Sequence, residues 1–314
     1  MNATVNARTH ALDFIGDIHG HHDKLVTLLT HLAYERSGDT YRHPHGRKVV
    51  FLGDYIDRGP RIRETLHLVR GMMDAGEALA IMGNHEWNAI CYATPDGNGG
   101  HIRPHVEKNH RQHRATLDQF AAHQDEWAEW IEWMKRLPLF LDLGNARAVH
   151  ACWDTERLPV LADRNLTEPA FFTACVTKGT PEYKAIEQIL KGPELHLPEG
   201  VTFLDKEGVA RGSIRARWWD LAEGLDIGLI ALPEPMAPVN HPLRRRHISR
   251  LANYTTDAPP VFFGHYWLPA HLPKKPITPN LACLDYSGAF NGNPLTAYRW
   301  DGEGALTAER MICA

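Results

Sequence analysis

Apolar positions along the first third of the chain alternate between strand-like runs and helical faces. Leu12-Asp13-Phe14-Ile15 is a short strand candidate. From Asp23 onward, Leu25, Leu28, Leu29 and Leu32 share one helical face. Val49-Val50-Phe51-Leu52 is an unbroken apolar run, as in a strand buried on both faces. Pro60 then stands where a first helical turn tolerates proline, Ile62, Leu66, Val69 and Met73 follow at helical spacing, and Gly76 punctuates the end. Leu79-Ala80-Ile81-Met82 is the next strand. This βαβαβ order predicts a sheet with helical crossovers.

Residues 93–115 read as an insertion. After it, Leu117, Phe120, Trp127, Trp130, Ile131 and Met134 form an apolar helical face that stops at Leu137-Pro138. The tryptophan stripe is read as core. Ala146-Arg147-Ala148-Val149 predicts a strand ending at His150, and Val261-Phe262-Phe263 one ending at Gly264-His265. Between them, residues 154–245 are rich in proline, glycine and charge and read as insertions or a cap, with a helix near 181–190. Segments 281–285 and 295–300 read as two closing antiparallel strands. These late strands need partners of their own, which favours two packed sheets with helices outside. The chain is expected to form one domain over residues 1–314, with insertions or a cap at about 93–135 and 154–245.

Composition narrows the partners more than the fold. The 314 residues are 43% hydrophobic and 23% charged, ordinary for a globular chain, and the net charge of −4 favours neither nucleic acid nor membrane surfaces. No apolar run approaches the roughly 18 residues that span a bilayer. The first residues show no signal peptide. Five scattered cysteines argue against a disulfide framework and for a cytoplasmic chain. Histidine is the outlier, with 20 copies. His101, His105, His110 and His113 fall in a polar stretch with Arg103, Lys108, Arg111 and Arg114. A solvated loop is the favoured reading there, with a phosphate- or pH-sensitive lid as the sharper alternative.

Three phrases carry the chemistry: Gly16-Asp17-Ile18-His19-Gly20, Gly53-Asp54-Tyr55-Ile56-Asp57-Arg58-Gly59 and Gly83-Asn84-His85-Glu86. Each follows an apolar run, and sites in α/β sheets form beyond the carboxyl ends of strands. With His150 and His265, five strand ends carry Asp, His or Asn. Each phrase alone is an ordinary turn or cap; five in order are not a coincidence. A mixed oxygen and nitrogen donor set without thiolate suits Mn²⁺ first, with Fe or Zn²⁺ as alternatives. Two metals about 3.5–4 Å apart need a bridging carboxylate and clamp an in-line displacement at phosphorus. A hydroxide shared between them is the expected nucleophile.

These phrases, followed by His150 and Gly264-His265, resemble the phosphoprotein-phosphatase superfamily of binuclear, calcineurin-like metallophosphoesterases. The tail, Cys283-Leu284-Asp285-Tyr286-Ser287-Gly288 through Leu295-Thr296-Ala297, is similar to that of bacterial symmetrical diadenosine-tetraphosphatases and related serine/threonine phosphatases. The resemblance implies an α/β fold, a four-layer αββα sandwich of two mixed sheets flanked by helices. It implies that Asp17 and His19 hold the first metal, that Asp54 bridges, and that Asn84, His150 and His265 hold the second. It makes His85 the general acid, Asp57 its orienting carboxylate and Arg58 a phosphate clamp. A second phosphate arginine is expected among Arg211, Arg215 and Arg217, with Arg215 first and Arg217 second. The chain departs from the family where His150 is followed by Ala151-Cys152-Trp153, where His265 is followed by Tyr266-Trp267, and at Tyr286. Trp153, Tyr266 and Trp267 either stack on a nucleobase or pack. The expected activity is hydrolysis of a phosphate ester or anhydride, in phosphoserine/phosphothreonine or in a dinucleoside polyphosphate. An inert phosphate- or nucleotide-binding module is the alternative, and a metallopeptidase fits the arginines less well.

Overall fold

Two mixed sheets face each other across an apolar layer in the computed structural model, which describes residues 11–204, 210–249, 251–290 and 292–314. The first sheet runs Met311–Cys313, Thr296–Trp300, Leu12–Ile15, Lys48–Phe51, Ala78–Ala80. Its last three strands are parallel and its first two antiparallel. The second runs Leu281–Cys283, Val261–Phe263, Arg147–Val149, Phe140–Asp142, parallel except at the last pair.

The period-2 alternation of a strand sends neighbouring side chains to opposite faces. Phe14, Val50 and Tyr298 therefore point inward to meet Phe262 and Ala282, and Phe14 stacks on Phe262 with ring centroids 3.8 Å apart. Ile15, Val49 and Phe51 point outward, into a core shared with Leu25, Leu28 and Leu29 of helix His22–His31 and Ile62, Leu66 and Val69 of helix Ile62–Asp74. On the far side Val261, Phe263 and Cys283 pack in the same way with Ile186 and Ile189 of helix Pro181–Lys191. Helix, sheet, sheet, helix is the four-layer order expected.

Two expectations are corrected. Leu281–Cys283 and Thr296–Trp300 do not close the fold as an antiparallel pair. The first joins Val261–Phe263 in parallel, buried on both faces, and the second joins Leu12–Ile15 in the other sheet. The apolar face from Leu117 to Met134 belongs to two helices, Glu107–Gln119 and Gln124–Met134. The break comes at Phe120, whose freed carbonyl accepts from the side chain of Gln124.

Residues 94–103 fold back on helix Asn84–Ala93 through Ile102 N–H to Thr94 O and Arg103 N–H to Cys91 O. Between 154 and 245 lie helices Leu158–Leu161, Pro169–Val176 and Pro181–Lys191, then a small sheet of Glu194–His196, Ser213–Ala216 and Ala231–Leu232. That sheet has its own core around Ile214, Ile227, Ile230 and Leu243.

Candidate active site

The three phrases turn sharply at the ends of the first sheet's parallel strands. His19, Asp54, Asp57 and Arg58 all have positive φ, between 48° and 69°, and His265 has 71°. Left-handed non-glycine backbone costs about 1–3 kcal/mol per residue and gathers where function over-determines it. Glu86 holds one such turn. Its carboxylate accepts from the backbone N–H of Asp54 (2.8 Å), Tyr55 (2.8 Å), Ile56 (3.3 Å) and Gly83 (2.9 Å). Gly264 permits another close approach, because a Cβ there would lie 2.0 Å from Asp17 Oδ1.

Donor atoms converge as two groups around Asp54. On one side, Asp54 Oδ2 lies 3.5 Å from His19 Nε2, which lies 4.0 Å from Asp17 Oδ2. On the other, Asp54 Oδ1 lies 3.4 Å from His150 Nε2, and Asn84 Oδ1 lies 3.0 Å from His150 Nε2 and 2.6 Å from His265 Nδ1. His19 Nδ1 donates to Ile56 O and His150 Nδ1 to Leu52 O, which leaves each Nε2 as the ligating atom.

The electrostatics fit cations at these points. Burial, then the charges of Asp285 and Asp54, hold Asp17 well above the ordinary carboxylate range. Burial also works to raise Asp54, but the charges of His150 and His85 hold it well below that range. His19 is pushed down to about 3 by burial and by the charge of His85. A neutral imidazole is the form that ligates; His150, where burial works to lower the pKa but the charge of Asp54 pushes it up to about 10, gives up its proton when a cation binds. The buried Nε2 of His19, which faces Asp17 and Asp54, has no hydrogen-bond partner among the described residues. Crowded carboxylates with an orphaned imidazole nitrogen among them are what a metal centre leaves when only protein is counted.

His85 stands beside this centre. Its Nε2 faces Asp54 Oδ2 at 3.9 Å, and its Nδ1 donates to Asp57 Oδ2 at 2.5 Å. Burial works to lower its pKa, but the charge of Asp54 and the bond to Asp57 raise it above the usual value. Asp57 is itself held: His113 Nδ1 donates to Oδ1 at 2.7 Å and Thr116 Oγ1 at 2.6 Å. His113 is therefore no part of a solvated loop. It is 5% exposed, in helix Glu107–Gln119, and supports the carboxylate behind His85. Nothing in the linear pattern separates it from its neighbouring histidines. His101, His105 and Tyr92 stack ring on ring, 3.8 Å apart at each step.

A cavity of about 270 Å³ opens over this machinery, lined among others by Asp57, Arg58, His85, Arg103, Arg215 and Trp267. The Arg58 guanidinium lies 4.0 Å over the Trp267 ring, whose backbone N–H donates to Asp285 Oδ2. Arg215 reaches the cavity from a strand whose Ile214 and Ala216 are buried on the other face. Arg217 instead donates to Asp220 O, and Arg211 is not among the lining residues. Trp153 and Tyr266 pack in the core, so Trp267 alone of these three aromatics meets the cavity. The sequence reading missed Glu86, Thr116 and Asp285, and singled out neither His113 nor Arg103 within the stretch whose alternative reading is a phosphate- or pH-sensitive lid. Of the first three only Glu86 carried a signal, as the acidic third residue of a helix start.

The profile of the calcineurin-like phosphoesterases matches residues 11–165. Over 295 residues, 92% of this chain and 93% of the relative, the chain is 30% identical to a symmetrical bis(5'-nucleosyl)-tetraphosphatase of Aromatoleum aromaticum. The chain belongs to the calcineurin-like phosphoesterases. Members of this family depend on a binuclear metal site, and this phosphoesterase has candidate ligands for one in two clusters that share Asp54. It is also 44% identical over 73 residues to the asymmetrical bis(5'-nucleosyl)-tetraphosphatase PrpE of Halalkalibacterium halodurans, 23% of this chain and 30% of that relative. The phosphoesterase thus spans about a third of the length of that relative. A protein serine/threonine phosphatase of Saccharomyces cerevisiae aligns over 98% of this chain and 80% of its own, at 14% identity and a TM-score of 0.48. No helix among the described residues is long and apolar enough to cross a membrane.

Proposed function

We propose that this chain is a cytoplasmic, Mn²⁺-dependent hydrolase of dinucleoside polyphosphates, working as a single domain over residues 1–314. One observation carries the reading: Asp54 offers one oxygen to each of two donor clusters, with the His85–Asp57 pair beside them. The near full-length likeness to a symmetrical tetraphosphatase supports the choice of substrate. Asp17, His19 and Asp54 would hold one divalent ion, and Asp54, Asn84, His150 and His265 the other. Bound there, the two ions supply Lewis acidity at the phosphoryl oxygens and lower the pKa of water. The chain does the rest. Arg58 and Arg215 orient the phosphate. His85 carries the proton for the leaving oxygen, held in aim by Asp57.

A panel of diadenosine tetraphosphate, a phosphopeptide and p-nitrophenyl phosphate in excess Mn²⁺ tests the reading. Preference for the first supports it. Preference for the phosphopeptide replaces the substrate, and inactivity on all three with two metals bound turns the chain into a binding module. Arg58→Ala and Arg215→Ala should each raise the inhibition constant of phosphate roughly tenfold, the worth of one charge-assisted hydrogen bond. Arg217→Ala should leave it alone. The reverse result for the last two would move the clamp to Arg217.

His113→Leu should slow turnover roughly tenfold, because Asp57 loses a donor that fixes the aim of His85. His113→Asn, which returns an N–H near the position of Nδ1, should recover most of the loss. Equal losses in both, at equal metal content, would show that the hydrogen bond is not what matters.

A further inference from the structure

Arg103 is a cation of the cavity wall that the functional reading leaves without a task. Its backbone N–H is tied to Cys91 O. Its guanidinium donates through Nη1 to Asn88 Oδ1 at 3.0 Å and through Nη2 to Gln112 Oε1 at 2.7 Å. Both acceptors are neutral amide oxygens, and among the described residues no carboxylate forms an ion pair with Arg103. Lys191, on the same cavity wall, differs: its Nζ lies 2.5 Å from Glu187 Oε1.

A guanidinium has five N–H donors and stays charged in proteins. Two donors go to the amides, so further donors and the whole charge remain. The group is half-buried, and burial works to lower its pKa, so part of its water is already gone and an incoming anion would meet a partly desolvated cation. Two amides from two different helices hold the fork in place beforehand, which spares the entropy of ordering it.

Its position says which anion. Helix Asn84–Ala93 starts at the donor cluster, and Asn84, His85, Asn88 and Tyr92 all line the cavity. Asn88 lies about one helical turn beyond Asn84 and His85. Arg103, clamped to Asn88, follows His85 along the cavity wall. A leaving group departing along this wall would pass the proton donor and then come within reach of Arg103.

We propose that Arg103, held by Asn88 and Gln112, binds a phosphate of the leaving group and so favours phosphoanhydrides over phosphate esters. This deepens the functional reading above and rests on it. In the reaction the oxygen of water bonds to the attacked phosphorus. The bridging P–O bond breaks, and its electron pair stays on the departing phosphate. That phosphate takes the proton of His85, which regains one from the attacking water. The charge that grows on the leaving phosphate is what Arg103 faces. A serine or threonine leaving group puts no charge there, and the guanidinium gains nothing.

Arg103→Ala and Arg103→Lys are compared with the unaltered protein in excess Mn²⁺, with diadenosine tetraphosphate and a phosphoserine peptide as substrates. The loss in kcat/KM on the tetraphosphate should exceed that on the ester by roughly 10- to 100-fold in Arg103→Ala. Arg103→Lys, a cation without the planar fork, should fall between. Equal losses on both substrates overturn the proposal. Calorimetry of the Mn²⁺-loaded protein with pyrophosphate and with orthophosphate gives a readout without turnover. Arg103→Ala should weaken pyrophosphate and affect orthophosphate less; equal weakening overturns the site. If the unaltered protein cleaves only the ester, the dinucleotide reading fails, and the pyrophosphate titration still decides Arg103.

Discussion

Asp54→Asn is expected to abolish hydrolysis and to empty both metal positions, the largest effect of any single substitution in this chain. The two carboxylate oxygens of Asp54 face different ways, Oδ1 towards His150 and Oδ2 towards His19. An amide keeps one ligating oxygen and replaces the other by NH₂, which has no lone pair for a cation. It also removes the shared negative charge. Loss of a group that merely orients a ligand costs 10- to 100-fold, so loss of a ligand common to both positions should cost more than roughly 100-fold. The fold should survive, because the turn hangs from Glu86 through backbone N–H groups, and the one backbone bond that the Asp54 side chain accepts, from His85 N–H to Oδ1 at 2.9 Å, can pass to an amide oxygen. Removing one of three crowded carboxylates even relieves Asp17, which the charges of Asp285 and Asp54 disfavour as an anion. The check is elemental analysis of the purified variant beside a thermal melt. Two metals per chain with a normal melt would sink the bridging role.

Much of this centre is legible before any folding, for a physical reason. A parallel strand ends where its apolar run ends, and the next residue faces the crevice above the sheet. Asp17, Asp54, Asn84, His150 and His265 each follow such a run, so their convergence is written in one dimension. Alternation along Ser213–Ala216 buries Ile214 and Ala216 and turns Arg215 the other way, but Arg211 and Arg217 share its parity, so the choice among the three rests on the folded cavity wall. What stays hidden depends on how elements pack. His113 and Arg103 reach the cavity because helix Glu107–Gln119 and the segment before it fold over Asn84–Ala93. Their neighbours His110 and Arg114, of the same types in the same stretch, are exposed. The parallel pairing of Leu281–Cys283 is hidden too, because an apolar three-residue strand suits either direction and only its neighbour decides.

His85→Asn is expected to slow turnover by roughly 10²–10⁴-fold, the range for general acid–base catalysis, while both metals stay bound. The first half follows from geometry. Nδ1 of His85 is committed to Asp57, so Nε2, which looks towards Asp54, is the nitrogen free to serve the reaction. His113 and Thr116 complete the shell of Asp57, so the pair has one orientation and little freedom to find another. The second half follows from the donor lists. His85 approaches Asp54 Oδ2 less closely than His19 does, 3.9 Å against 3.5 Å, and a bond to Asp57 already fixes its ring. The leaving group separates an acid from a ligand. With a very good leaving group, such as 2,4-dinitrophenolate, the departing oxygen needs no proton, and the variant should come close to the unaltered protein. With a poor one, such as phenolate, the full loss should appear. A uniform loss across the series, or one accompanied by lost metal, would move His85 from the proton to the donor set. It would join His19 and Asp54, the three-residue cluster that their distances also permit.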